Sequence, residues 1–340
     1  MRSPSSPTGN HRGDLTRLRI SGPADLVAVV PYLLSFHPRE SLVAVLIASG
    51  RVVVTARLDL PPVDGADQVA QEIGWLADRQ RADEVVVIAY SADADRARAI
   101  LGRLMGELPD APLSDAIYVD GTRWWSVACR QGCCPPEGRP YEVEAHPLAA
   151  EAVFAGLGVR ADRDELRQLV AGPPPDDHER LLARAAGLAA ELAAAGPEAG
   201  DLVEATVSAA LSARERPSTD TLLGLALMCR QVLVRDRAWA LMERPTAPEH
   251  VQLWSDVVAV TPPELAAAPV CLLGVAAWIN GDGALLNICL DRIAEVDPSY
   301  TLGHLLGDIS DRALPPTYWD EWVVDLRETL GLRPGPRGLV

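Results

Sequence analysis

SLVAVLIASGRVVVTARLDL, at residues 41–60, contains two runs rich in β-branched side chains, which favour strands. Ser49-Gly50 separates the two runs, and a two-residue connection that contains glycine is typical of a β-hairpin. The stretch therefore predicts two antiparallel strands, one in 41–48 and one in 51–60.

Strand and helix patterns alternate around this hairpin. LTRLRI has the apolar period of a strand, and PADLVAVVPYLLSF reads as a helix with proline in its first turn. After the hairpin come two helical segments with a buried strand between them, and then a last pair of strands. The segments are LTRLRI at 15–20, PADLVAVVPYLLSF at 23–36, a helix at 66–80, a strand at 83–91, a helix at 93–107, and strands in DAIYVD and TRWWSVAC. This order predicts an α/β N-terminal domain, a mixed sheet with helices.

The second half of the chain has a different pattern. From residue 176 onward the β-branched runs disappear, alanine and leucine dominate, and Pro or Gly signals separate the segments, which predicts an all-α C-terminal domain. Three consecutive prolines in LVAGPPPDD, residues 169–177, are typical of a stiff spacer. We therefore expect a disordered tail at 1–14, the mixed α/β domain at 15–157, a linker at 158–180, the α-helical domain at 181–331 and a disordered tail at 332–340.

One segment of the helical half, residues 272–300, predicts a helical hairpin. Two helices flank the turn NGDG, and the spacing from Gly274 to Pro298 equals that between the glycine and the last proline of a tetratricopeptide helix pair. Leu286 stands where that repeat has a small residue, and the neighbouring residues do not repeat the pattern. We expect a single tetratricopeptide-like helical hairpin in which Leu273 and Trp278 are buried.

Composition excludes several classes of function. The net charge of −16 repels phosphate backbones, so we expect no nucleic acid partner. All 31 cationic residues are arginine, which excludes every mechanism that needs a lysine, such as a phosphate-binding loop or a Schiff base. No apolar run reaches the roughly 18 residues that cross a bilayer, and the N-terminus has no secretory pattern. We therefore predict a cytoplasmic protein with reduced cysteines and no membrane partner.

The stretch RWWSVACRQGCCPPEGRPY, residues 123–141, concentrates cysteine, tryptophan and proline. Strong zinc signatures pair two C-x2-C knuckles, whereas this stretch has a C-x3-C-C arrangement followed by one histidine. A metal site and a thiol of lowered pKa near Arg130 and Arg139 both stay open, but we prefer a packing role. The candidate site residues here are Trp124, Trp125, Cys129, Cys133, Cys134 and Glu137, and the candidate metal ligands are Cys129, Cys133, Cys134 and His146.

A second polar loop, SFHPRES at 35–41, lies between a predicted helix and a predicted strand. Its candidate residues are His37, Arg39, Glu40 and Ser41. The serine lacks the flanking glycines of a nucleophile elbow, which argues against a hydrolase. Since strand ends gather loops in layered folds, we expect this loop and the cysteine loop to share one edge of the sheet.

Three segments together resemble the actinobacterial domain-of-unknown-function family 4192. They are GPADLVAVVPYLLSFHPRESLVAVLI, RWWSVACRQGCCPPEGRPY and AAWINGDGALLNICLDRIAEVDPSYTLGHLLG. The likeness extends from about Leu15 to about Trp322, and its most specific parts are the Phe-x-Pro-x-x-Ser-Leu-Val turn that begins at Phe36 and the Cys-Cys-Pro-x-x-Gly loop. The resemblance implies a cytoplasmic actinobacterial protein and carries over no activity and no catalytic residue.

Two functions remain open from the sequence. The first is a non-enzymatic protein-interaction or scaffold protein that binds a partner protein with its helical half; the repeat-like hairpin favours it. The alternative is an enzyme, or a sensor of a ligand or metal, with a pocket formed by the loops 35–41 and 124–138. Enzymatic activity is left open, and we predict no cofactor.

Overall fold

A computed structural model describes residues 18–108, 112–129, 134–154, 158–194, 199–213 and 215–332. It contains a six-stranded mixed sheet with the strand order β2-β1-β3-β4-β5-β6. The strands are β1 (Ser41–Ala48), β2 (Arg51–Asp59), β3 (Glu84–Tyr90), β4 (Leu113–Val119), β5 (Arg123–Ser126) and β6 (Arg139–Pro140). The predicted α/β N-terminal half, followed by an all-helical half, is confirmed.

The hairpin of β1 and β2 is confirmed, and its turn has the expected chemistry. Ser49 and Gly50 both have positive φ, at 52° and 71°, which suits the tight turns that join twisted antiparallel strands. The β3–β4 pair is parallel and the other neighbours in the sheet are antiparallel, so the sheet is mixed. The strand predicted at 15–20 is wrong for residues 18–20, which form no strand, and its first three residues lie outside the described residues.

The two faces of the sheet bury different side chains. In β1, Leu42 and Ala44 pack against α2 (Ala66–Gln80) and α3 (Ala94–Glu107), whereas Val43 and Val45 point to the opposite face, where α1 (Pro23–Leu34) lies. This alternation follows from the period of two in a strand.

The remaining helices pack on the same face of the sheet as α1. At their centre is a helix whose residues from Ala268 to Ile279 are all buried, and a helix that is apolar all round requires such a position. The helices are α4 (Pro147–Phe154), α5 (Arg163–Gln168), α6 (Pro175–Ala194), α7 (Ala199–Ser212), α8 (Thr219–Met228), α9 (Val232–Ala240), α10 (Ala247–Val260), α11 (Ala267–Ile279), α12 (Gly283–Val296), α13 (Thr301–Asp311) and α14 (Trp319–Thr329).

The predicted hairpin corresponds to α11 and α12, joined at Asn280–Asp282. Leu273 and Trp278 are buried, as predicted. A Cβ on Gly274 would lie 3.3 Å from Cβ of Cys289, so a small residue lets the two helices approach each other. The hairpin is present, but its resemblance to a tetratricopeptide repeat is not confirmed.

One apolar core joins the sheet to the helical half. It includes Val43 of β1, Trp254 of α10 and Trp278 of α11 in a single cluster. Within the predicted linker, 158–180, lie α5 and the start of α6, and Leu166 and Val170 are buried in this same cluster.

Candidate functional site

Glu40 holds the start of β1 against the turn that follows β3. Its carboxylate accepts hydrogen bonds from the Ser91 hydroxyl at 3.0 Å and from the Ala92 N–H at 2.9 Å. Glu40 itself has a φ of 40°, a conformation that is uncommon for a residue with a side chain. These contacts assign Glu40 a role in fixing the loop.

Hydrogen bonds also hold Ser41 and His37 of loop 35–41. The Ser41 hydroxyl donates to the Arg39 carbonyl at 2.6 Å and accepts from Nε of Arg57 at 2.9 Å, so its proton is already engaged. The His37 N–H donates to the Arg160 carbonyl at 3.1 Å, and burial lowers the pKa of the His37 imidazole. The Arg39 side chain is exposed. This loop therefore contains no Ser-His pair arranged for nucleophilic attack.

The two tryptophans of β5 lie on opposite faces of the sheet. Trp124 belongs to the core on the α1 face, with the Arg139 guanidinium 5.7 Å from its ring centre. Trp125 packs on the other face, where its ring is stacked on Tyr118 with 5.1 Å between centroids. Both rings are thus accounted for by packing.

The proline turn after the cysteines rests on Trp125. The indole N–H of Trp125 donates to the Pro136 carbonyl at 3.1 Å, and the Gly138 N–H donates to the Pro135 carbonyl at 2.9 Å. Gly138 has a φ of 76°, and a Cβ there would lie 2.4 Å from the Trp125 ring. Only glycine meets both conditions, which explains this part of the motif. Glu137 is exposed.

Cys129 and Cys134 line one cavity of about 440 Å³. It lies between the first turn of α1 and strands β4 and β5, and Trp124 and Arg139 also contribute to its wall. His146 lies behind this wall, with its Nε2 3.4 Å from Oδ1 of Asp25. Among the described residues no group of three or more metal-ligating side chains is present, and Cys133 lies outside the described residues.

The expectation that the two polar loops share one edge of the sheet is wrong. Strand register places Ser41, Tyr90, Val119 and Trp124 side by side. Loop 35–41, which precedes β1, therefore lies at the end of the sheet where β5 begins. Because β5 runs antiparallel to β4, it carries the chain back across the sheet before Cys129. The wall of the cysteine cavity, as far as the chain is described, includes no residue of 35–41.

A second cavity, of about 730 Å³, is a cleft between the two halves of the protein. Strand β2 forms its floor. Trp75 and Leu76 of α2 line one wall, and Asn287 of α12 and the segment 313–316 line the other. The walls touch at one end, where the Gln80 side chain donates to the Ala313 carbonyl at 3.0 Å. We call this feature the β2 cleft.

Trp75 is the large apolar side chain that the β2 cleft exposes most clearly. It is 53% exposed, and the Arg79 guanidinium lies 5.3 Å from its ring centre. The sequence contained a signal for it. The buried face of α2 includes Val69, Ile73 and Ala77. Trp75 does not share their helical spacing, so it lies outside the buried face of the helix.

Comparison with known proteins gives one match. The family described as a domain of unknown function, DUF4192, matches residues 23–317, whereas no curated protein and no solved structure matches. None of the described helices has the length and apolar character needed to cross a membrane. Since the match covers most of its length, the chain belongs to the DUF4192 family.

Proposed function

We propose that this chain is a non-enzymatic protein-interaction protein of the cytoplasm that binds its partner in the β2 cleft. The observation that carries the proposal is Trp75, a half-exposed tryptophan on the wall of an apolar cleft beside an edge strand. Tryptophan is enriched among the residues that dominate binding energy at protein interfaces.

The walls of the cleft also support a protein partner. The helical half contributes one wall and the α/β half the other, so a bound segment would contact both. A chain of net charge −16 repels nucleic acids, which favours a protein over a nucleic acid as the partner.

Affinity capture with matched variants tests this proposal. We expect Trp75→Ala to reduce recovery of a specific partner from the source organism's lysate, because truncating an aromatic anchor costs about 2 kcal/mol or more, roughly thirtyfold in affinity. Leu233→Ala is the control, since Leu233 is 71% exposed but lies outside the cleft. Equal recovery by wild type and both variants would contradict a role for the cleft.

A second candidate function is a ligand or thiol sensor at the cysteine cavity. The observation that favours it is that Cys129 and Cys134 line the same cavity as Arg139. If this cavity is a site, its half-buried thiols react with maleimide well before the buried Cys271, whose pKa burial raises to about 12.

Metal analysis tests whether the cysteine cavity is a metal site. Protein purified without chelator would contain one equivalent of zinc, and Cys133→Ser and Cys134→Ser would each lose it. Metal-free protein with equal reactivity of all its thiols would leave the cavity with a packing role alone.

A further inference from the structure

Cys129 and Cys134 each lie close to a point where the chain is fixed. The Val127 N–H donates to the Ala116 carbonyl at 2.7 Å, which holds the chain against β4 two residues before Cys129. The proline turn that rests on Trp125 begins one residue after Cys134. Contacts on either side of the stretch 129–134 therefore position both cysteines.

The two cysteines share one cavity and differ from the other cysteines of the described chain. Both line the cavity of about 440 Å³ and both are half-buried, whereas Cys229, Cys271 and Cys289 are fully buried in the helical half. Four residues separate Cys129 from Cys134 in the sequence, and the chain entropy lost on joining two positions decreases as the loop between them shortens. A small reagent in the cavity can therefore reach both thiols of this pair.

The wall of the cavity includes positive groups that favour a reacting sulfur. Arg139 and the first turn of α1 line it. That turn has no side-chain cap, and the N–H groups at the start of a helix stabilise a nearby negative charge. The Asp25 carboxylate also lines the cavity, but it accepts a hydrogen bond from the Ser21 N–H at 2.7 Å. The Asp115 carboxylate of the same wall accepts one from the Ser126 hydroxyl.

We propose that Cys129 and Cys134 form a reversible disulfide with a hydroperoxide as the oxidant. This inference rests on the second candidate function and deepens it, because it names the chemistry by which the cysteine cavity would act as a sensor. Disulfides that form and break in a reducing compartment are typical of redox sensing, so the proposal agrees with cysteines that are reduced at rest.

The oxidation proceeds in two steps that balance. The thiolate of one cysteine attacks an oxygen of the hydroperoxide, the O–O bond breaks, and a sulfenic acid forms on that sulfur. The thiolate of the second cysteine then attacks the same sulfur, the S–O bond breaks, and the disulfide forms. The proton that each thiol gives up leaves with the departing oxygen. With hydrogen peroxide, two thiols lose two electrons and one peroxide becomes two molecules of water.

Peptide mapping after treatment of the full chain with hydrogen peroxide tests the proposal. Trypsin cleaves after Arg123 and Arg130, so Cys129 falls in one peptide and both Cys133 and Cys134 fall in the next. We expect mass spectrometry to find these two peptides joined by a disulfide that dithiothreitol reverses. The buried cysteines of the helical half serve as the internal control and should stay reduced.

Serine variants identify the partner of Cys129. We expect Cys134→Ser to slow formation of the joined peptides at least about tenfold and Cys133→Ser to change its rate less than about twofold. Cys129→Ser should abolish the joined peptides. Equal thermal melting of the three variants shows that all are folded, and gel electrophoresis without reductant shows whether the disulfide lies within one chain.

The outcomes separate this inference from the second candidate function. If maleimide labels Cys129 and Cys134 well before Cys271 but peroxide does not join them, the cavity is still accessible as a ligand or thiol site, and the inference is overturned. Joined peptides that persist in Cys134→Ser, or a disulfide between two chains, would overturn it as well. If neither cysteine reacts faster than Cys271, both the second candidate function and the inference fail.

Discussion

Gly138 gives the sharpest test at the scale of single residues. Alanine there must adopt a φ of 76°, and its Cβ would lie 2.4 Å from the Trp125 ring. The left-handed conformation costs roughly 1–2 kcal/mol and crowding adds about 1–3 kcal/mol, so we expect Gly138→Ala to lower the free energy of unfolding by about 2–5 kcal/mol. Urea unfolding measures the difference.

Gly121 supplies the matched control for this prediction. It has a φ of 99° but no atom within 4 Å of an added Cβ, so Gly121→Ala carries the backbone strain without the clash. We expect it to cost about 1–2 kcal/mol. Equal destabilisation by the two variants would mean that the Trp125 contact does not hold the proline turn.

His250 makes the stability depend on pH. The side chain is fully buried in α10, and burial lowers its pKa from 6.5 to about 4. The folded state therefore binds fewer protons than the unfolded state between these values, so stability is lost as the pH falls through this window. The difference of about 2.5 pKa units corresponds to about 3 kcal/mol.

A neutral variant isolates this contribution from that of the carboxylates. Between pH 7.5 and pH 4 we expect the wild type to lose about 3 kcal/mol more stability than His250→Gln, as measured by urea unfolding at each pH. Parallel pH profiles of the two proteins would show that His250 is protonated without penalty in the folded state.

At the scale of elements, the α11–α12 hairpin is the centre of the helical half. Leu273 is fully buried there, so we expect Leu273→Ala to destabilise the protein by roughly 2–5 kcal/mol, the range for a truncated core leucine. Leu305 of α13 is 42% exposed and is the control, for which we expect a change within about 0.5 kcal/mol. A neutral Leu273→Ala would indicate that this surface of α11 is not part of the core.

The elements that sequence predicts well are those coded by neighbouring residues. Ser49-Gly50 predicts the turn between β1 and β2, and the apolar run at 268–279 predicts that α11 is buried. The position of the cysteine loop was predicted wrongly, because it depends on the pairing of Ile117 with Ser126, a register that β5 is too short to encode locally. The β2 cleft was missed for a similar reason, since its walls come from α2 and from residues more than 200 positions later.

At the scale of the whole molecule, one core joins the predicted domains. Limited proteolysis tests the predicted boundary, which includes the exposed Pro174 and Asp176. We expect an Asp-specific protease to cut first between Leu169 and Arg180. The two fragments should stay associated in gel filtration, because Val43 and Trp278 lie in the same apolar cluster. Separation of the fragments would show two independent cores. Resistance to cleavage would mean that residues 169–180 do not form an accessible boundary between domains.

The central claim is that a partner protein occupies the β2 cleft. A photo-crosslinking phenylalanine derivative placed at residue 75 keeps an aromatic ring on the cleft wall, and the same group at residue 233 lies on an exposed surface outside it. Illumination of cells that express each variant is the most direct measurement. We predict a discrete crosslinked product from position 75 that contains one recurrent protein and is absent from position 233. No product at position 75, or the same products at both positions, would contradict the claim.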